Sequence, residues 1–350
     1  MNTNKTQLFN IGFDEFAQWL KSKSQAKYRA NQVYQLAIKG YEFDDMQTLP
    51  KALRQMLSEN FIAQAAPIYD VYKSQIDETE KFLYKLSDGN IIEGVLMKYH
   101  YGYTLCISTQ VGCKMGCTFC ASTLNGCERN LTAAEMFGQV ISANKHIGDK
   151  GNVGHIVLMG SGEALDNYDN TIAFLKLVHN ENLLNIGYRN ISISTCGLVP
   201  AIYRFMEEDI PATLSISLHA PNDEIRMQTM PIAKVYLMDS LMDAARAYVK
   251  KTGRRVIFEY AAIDGVNCSG QHAIELADRL KNLQCHVNLI PLNKVEERQL
   301  NPPSNNNINA FMDKLKSLGV SVTKRRSMGN DIEGACGQLR NKKLLLEKEK

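Results

Sequence analysis

After Leu105, short apolar runs alternate with amphipathic segments, and this alternation restricts the fold more than any other feature of the chain. Runs rich in Val, Ile and Leu fall at 104–109, 154–159, 190–195, 213–218, 255–261, 285–291 and 320–325. Helical spacing fills the gaps near 133–147, 169–184, 199–208, 236–251, 270–283 and 305–318. Strands that are apolar throughout must be covered on both faces. The pattern therefore predicts an α/β fold, a parallel sheet with right-handed crossovers. Six or seven units fall short of the eight that close a TIM barrel, so a partial (β/α)6-type TIM barrel is expected over 101–340. In such a fold the chemistry collects at the C-terminal ends of the strands.

The chain before this region follows other periods. Residues 1–65 read as a helical domain. Phe13 to Leu20 and Tyr28 to Ile38 repeat an i, i+3, i+4 spacing, and Pro50 is placed to open a third helix through Phe61. Lys21, Lys23, Lys27, Arg29, Lys39, Lys51 and Arg54 decorate these helices; an ordinary solvated face and a docking surface for RNA both account for them. Val71–Lys73, Lys81–Leu86 and Ile91–Lys98 are short and partly alternating, with Ser87-Asp-Gly-Asn90 between the last two. That is a hairpin signal, and a small antiparallel β linker is expected over 66–100. A Lys/Glu-rich charged tail follows at 341–350.

Composition mainly excludes. The 350 residues are 45% apolar, enough for a substantial core. The first ten residues lack an apolar signal region, and no run approaches the roughly 18–20 apolar residues of a membrane span. Nine cysteines in a long chain argue against a disulfide framework and for a reducing cytoplasm. A net charge of +3 is too small to argue nucleic-acid binding by itself.

Cys113, Cys117 and Cys120 stand at a C-x3-C-x2-C spacing just after the first strand of the alternating region, among Gly112 and Gly116. Three neighbouring thiolates suit one metal centre with an open ligand position, and the best reading is a [4Fe–4S] cluster. A zinc site with a distant His is the plainer alternative, although no second C-x2-C pair is present. Cys196, Cys268 and Cys285 lie in or beside apolar runs and read as core residues. Other strands end in small polar groups: Gly162 and Glu163, Ser194, Ser217-Leu218-His219, and Asn293. Each alone is an ordinary turn residue; together, at one mouth, they suit a polar ligand. Near the C-terminus, Cys336 lies in a Gly-flanked loop that would let a nucleophilic thiol move, and Cys106 on the first strand could face the same mouth.

These motifs resemble the RlmN/Cfr family of radical S-adenosylmethionine (SAM) RNA methyltransferases, most closely its RlmN type. The likeness rests on QVGCKMGCTFCAST from Gln110, SISLHAPNDEIR from Ser215, HVNLIPLN from His286 and ACGQLR from Ala335, and spans nearly the whole chain. It implies that Cys113, Cys117 and Cys120 hold the cluster, whose open iron chelates SAM. Gly162, Glu163, Ser194, Ser217, Leu218, His219 and Asn293 would contact SAM. Cys336 would be the methyl carrier, passing through an S-methylcysteine intermediate and then a methylene radical that adds to C2 of an adenine. Glu93 would accept a proton, and Cys106 would resolve the adduct, ending in a Cys106–Cys336 disulfide. The substrates implied are a 23S rRNA adenosine at the peptidyl-transferase centre and the tRNA adenosine 3′ of the anticodon. A reducing donor such as flavodoxin, a monomeric chain and no membrane partner complete the expectation. Gly162-Glu163-Ala164 departs from the Gly-Glu-Pro of most RlmN-type relatives and matches the Cfr type, which methylates C8 and gives antibiotic resistance. Cys196-Gly197 and APNDEIR look like the RlmN type, so C2 is favoured and C8 is the alternative. A non-catalytic RNA-binding protein with a structural metal site is the reading from another class.

Overall fold

A computed structural model describes residues 5–292, 300–326 and 328–332. Three helices open the chain after a short strand β1 (Thr6–Gln7): α1 (Phe13–Ser22), α2 (Tyr28–Ala37) and α3 (Lys51–Asn60), with β2 (Phe61–Ile62) pairing parallel to β1. The apolar spacing of α1 buries Phe16, Ala17 and Leu20. Pro50, which lacks an amide proton, precedes the first residue of α3, where no helical bond is lost. Trp19 and Phe16 meet Phe61 edge to face, so the helices share one core.

Next come β3 (Ile68–Lys73), β4 (Glu80–Lys85) and β5 (Ile91–Tyr99), joined antiparallel. The expected hairpin is present; Gly89, at a φ of 91°, makes the turn between β4 and β5. These strands do not form a sheet of their own. β5 pairs antiparallel with β6 (Gly102–Cys106), Val95 opposite Cys106, so the three extend the edge of the main sheet. Pairing across 95 and 106 is a non-local event that local periodicity does not encode.

After β6 the chain forms β7 (Gln110–Gly112) and β8 (Cys127–Asn130), then α4 (Ala133–Ile147), β9 (Val153–Leu158), α5 (Tyr168–His179) and β10 (Ile191–Thr195). It continues through α6 (Val199–Phe205), β11 (Thr213–Ser217), α7 (Asp223–Thr229), α8 (Met238–Thr252) and β12 (Val256–Ala262). Last are α9 (Gly270–Leu280), β13 (Cys285–Pro291), α10 (Asn305–Ser317) and β14 (Val322–Lys324). The seven strands β6 and β9–β14 are mutually parallel neighbours. The ten-stranded sheet runs from β14 to β3 without closing, which is the expected partial barrel. Helix starts are marked as sequence chemistry demands. Thr132 and Glu135 form a capping box on α4, and Ser269 with His272 forms one on α9.

Beyond β14 the chain passes from one edge of the open sheet toward the other. Asp331 accepts hydrogen bonds from Ser74 Oγ and the Gln75 amide, both at 2.7 Å, and Asp77 accepts from the Gly329 amide. The segment leading to Cys336 is thus tied to the β3–β4 turn. Cys336, Asn293 and the charged tail 341–350 themselves lie outside the described residues. Among the described residues, no helix is long and apolar enough to cross a membrane.

Candidate active site

The three-cysteine loop is held between β7 and β8, a short antiparallel ribbon with Gly112 opposite Cys127. Strands of three and four residues are too short for a period-2 pattern to register, so the alternation of apolar residues does not reveal them. The ribbon is braced by Arg129, which bonds Asp88 through Nε at 2.6 Å and Glu135 through both terminal nitrogens at 2.8 and 2.9 Å. Gly112 has a φ of 80°, and a Cβ there would strike the carbonyl oxygen of Gly126. Gly112→Ala is therefore expected to cost at least about 1–3 kcal/mol from backbone strain alone. It should also lower the iron bound on anaerobic reconstitution. A variant with wild-type iron content and an unchanged urea midpoint would contradict this reading of the loop.

One cleft of about 220 Å³ at the strand mouths is lined by Cys113, Cys117 and Cys120 together with Gly162, Glu163, Ser194, Ser217 and His219. The right-handed crossovers bring these together because every parallel strand ends on the same face. Leu218 is fully buried directly behind, with its amide bonded to the Glu259 carbonyl. Cys113 and Cys117 are buried and Cys120 is half-buried. Burial pushes the Cys113 thiol up to about 12, the nearby Cys120 adding to it, and raises Cys117 in the same way. Thiols in this setting ionise when a cation compensates them, so metal binding and proton release are coupled. Among the described residues, no three His, Cys, Asp or Glu side chains could hold a single metal ion. Cys113, Cys117 and Cys120 line the one cleft, and three soft thiols are the ligand set that suits an iron–sulfur cluster.

Glu163 organises the second loop. Its backbone amide donates to Gln110 Oε1, and its carboxylate accepts from the amides of Leu165 at 3.0 Å and Cys196 at 2.6 Å. Burial raises its pKa, and these hydrogen bonds oppose that shift. The carboxylate thus arrives pre-oriented, with acceptor capacity left for a ligand's donor groups. Glycines allow the packing: a Cβ on Gly160 would sit 2.5 Å from the Ile107 carbonyl oxygen, and one on Gly162 would sit 2.6 Å from Thr109 Oγ1. His219, at a φ of 54°, accepts the Ala261 amide proton on Nδ1 at 2.9 Å, which leaves the ring proton on Nε2. Burial, with the Arg226 charge behind it, lowers its pKa to about 3. It is a neutral donor across the physiological range.

Three further side chains in the cleft were not expected to contact the ligand. Glu259 on β12 is buried, accepts from Asn288 Nδ2 at 2.8 Å and faces Arg325. Arg325, which in sequence sits in a basic run after β14, turns into the cleft. Cys196, read as a core residue, is buried as expected, packing with Cys117 and Met230, and it also lines the site. The strand-end position of Cys196 was a signal for it, and Arg325 belongs to the basic run Lys324-Arg325-Arg326 near Cys336, which reads as a phosphate-holding group or a solvated face; Glu259 had none.

Cys106 and Glu93 share the inner face of the sheet next to the cleft. Cys106 is packed among Val95, Met97, Val157 and Met159, and Met159 also lines the cleft. Glu93 forms an ion pair with Lys81 at 3.2 Å, both side chains being essentially inaccessible.

Comparison with known proteins agrees with this geometry. Residues 107–277 match the model of the radical SAM superfamily. The chain is 52% identical over 341 residues to a protein of Alkaliphilus oremlandii named as a probable dual-specificity RNA methyltransferase RlmN, covering 97% of this chain and 99% of that one. A protein of the same name from Clostridium novyi is 48% identical over 335 residues, 95% of this chain and 97% of that one. The crystal structure of a radical SAM methyltransferase from Sphaerobacter thermophilus superposes with a TM-score of 0.92 at 41% identity, covering 95% of this chain and 98% of that one.

Proposed function

This chain belongs to the RlmN family of radical SAM methyltransferases, and from that premise we propose that it methylates C2 of adenosine in 23S rRNA and in tRNA. The observation that carries the reading is the single cleft in which the three cysteines face Glu163, Ser194, Ser217 and His219. Cys113, Cys117 and Cys120 hold a [4Fe–4S] cluster there. Gly162, Glu163, Ser194, Ser217, Leu218, His219 and Asn293 hold SAM. When bound, these groups supply radical chemistry able to act on an unactivated C–H, which polar methyl transfer cannot do.

The chain's own side chains do the rest. Cys336 carries the methyl group on sulfur and presents it to the base. Glu93, buried beside Lys81, accepts the proton released from C2. Cys106, as thiolate, attacks the Cys336 sulfur and breaks its bond to the methylene carbon; that carbon keeps the electron pair and takes up a proton to become the methyl group on the base, leaving a Cys106–Cys336 disulfide. The adenosine must leave its stack to reach a strand mouth, so loops are the targets. The exposed Lys21, Lys23, Lys27, Lys39 and Lys51 are available to RNA phosphates.

Incubating the anaerobically reconstituted protein with SAM, a low-potential reductant and unmethylated rRNA should yield 2-methyladenosine by mass spectrometry. An 8-methyl product would overturn the C2 assignment. Zinc alone in the protein, with no 5′-deoxyadenosine released, would remove the enzyme reading altogether.

A further inference from the structure

Arg226 on α7 is fully buried, and it is the largest such side chain that the proposed reaction leaves without a role. Its Nη2 donates to the carbonyl oxygens of Cys196 at 2.7 Å and Ser217 at 3.4 Å, and its Nε to that of Leu218 at 3.3 Å. Nη1 is buried with no hydrogen-bond partner. Among the described residues Arg226 forms no ion pair; Asp223, one helical turn away on α7, accepts from the Met238 amide instead. A guanidinium sealed from water with only carbonyl partners is costly unless an anion stands close by.

The groups that surround this charge point to the anion. Cys196, whose carbonyl its Nη2 binds, packs directly with Cys117 and Met230. α7 and the cysteine loop are fastened together, since the Thr118 amide donates to the Thr229 carbonyl at 2.9 Å. Gly197 makes room for the guanidinium: a Cβ there would lie 3.1 Å from Nη2. Chain geometry therefore places a permanent positive charge behind the wall that Cys117 forms.

We infer that Arg226 is the electrostatic counter-charge of the cluster and raises its reduction potential. The inference rests on the reading that Cys113, Cys117 and Cys120 hold a [4Fe–4S] cluster. Three thiolates around the core leave an anionic assembly, and taking up one electron makes it more anionic. A nearby buried cation favours the reduced form more than the oxidised one, and net charge and hydrogen bonding are the protein's levers on such potentials. Arg226 touches neither substrate nor reacting atoms in this role; it acts through the cluster.

Potentiometric titration with dithionite, followed by EPR, tests this on the full-length reconstituted protein, wild type against Arg226→Gln and Arg226→Lys. Arg226→Gln should lower the midpoint so that the reduced-to-oxidised ratio at a fixed poise falls at least tenfold, which is 59 mV for one electron. Arg226→Lys, which keeps the charge, should recover most of that shift. Equal midpoints in Gln and Lys variants would overturn the inference and leave Arg226 as a strut for three carbonyls. Should Arg226→Gln hold no cluster, pulsed EPR on reduced wild type labelled with 15N-arginine gives an independent reading. A guanidinium coupling that disappears in Arg226→Lys supports the inference, and its absence in wild type defeats it. Failure of wild type itself to assemble a cluster is a different result, which would defeat the proposed function.

Discussion

Cys336→Ala is expected to abolish methyl transfer while iron, sulfide and visible absorbance stay at wild-type levels; Cys117→Ala should lose all of them. The two thiols have different chemistry. Cys117 lies in the wall of the cleft with Cys113 and Cys120, where a missing thiolate removes one of the three ligands the cluster needs. Cys336 stands in a separate segment of the chain, and a carrier thiol can be lost without altering the metal site. Loss of iron from Cys336→Ala would make that residue a ligand and end the carrier proposal. Cys106→Ala completes the series. It sits among Val95, Met97, Val157 and Met159 on the inner face, so its removal should leave cluster and first methylation intact and let a covalent protein–RNA adduct accumulate, visible by denaturing gel.

The largest expected stability effect lies next to it. Lys81→Met should lower the free energy of unfolding by about 3–5 kcal/mol, because it strips the ammonium from a carboxylate sealed inside the barrel. Lys81 is 0% exposed and Glu93 3%, and 3.2 Å separates their charged atoms. The double variant Lys81→Met/Glu93→Leu should recover most of the loss, since replacing both charges by apolar groups removes the desolvation cost along with the attraction. Urea unfolding of the three proteins measures both values. A single-variant loss below about 1 kcal/mol would place the pair in the range of solvent-exposed bridges and contradict its burial. The double variant should be stable yet inactive if Glu93 takes the proton, which separates folding from chemistry.

Much of this site is legible in the sequence. Period-3.6 and apolar runs located the parallel strands and their crossover helices. Because crossovers are right-handed, strand ends alone predicted that Glu163, Ser194, Ser217 and His219 share one mouth with the cysteine loop. The burial of Arg226 was not legible. That residue closes the motif SISLHAPNDEIR, but the alternation gives no helix there, and the packing of α7 against the cysteine loop is what encloses it. Glu259 was hidden for the same reason, lying on a strand where nothing local distinguishes lumen from solvent.

By itself the sequence determined what depends on neighbours along the chain: periodicity, capping boxes, turn glycines and the spacing of three thiols. Tertiary structure decided what depends on pairing between distant segments. It joined β3–β5 to the barrel sheet, opposed Val95 to Cys106, and zipped β7 to β8 around the cysteine loop. It also enclosed Lys81 with Glu93 and fastened the helix of Arg226 to the cysteine loop. Register and burial are cooperative properties of the whole sheet, and a charge acquires its meaning only from what the fold places around it.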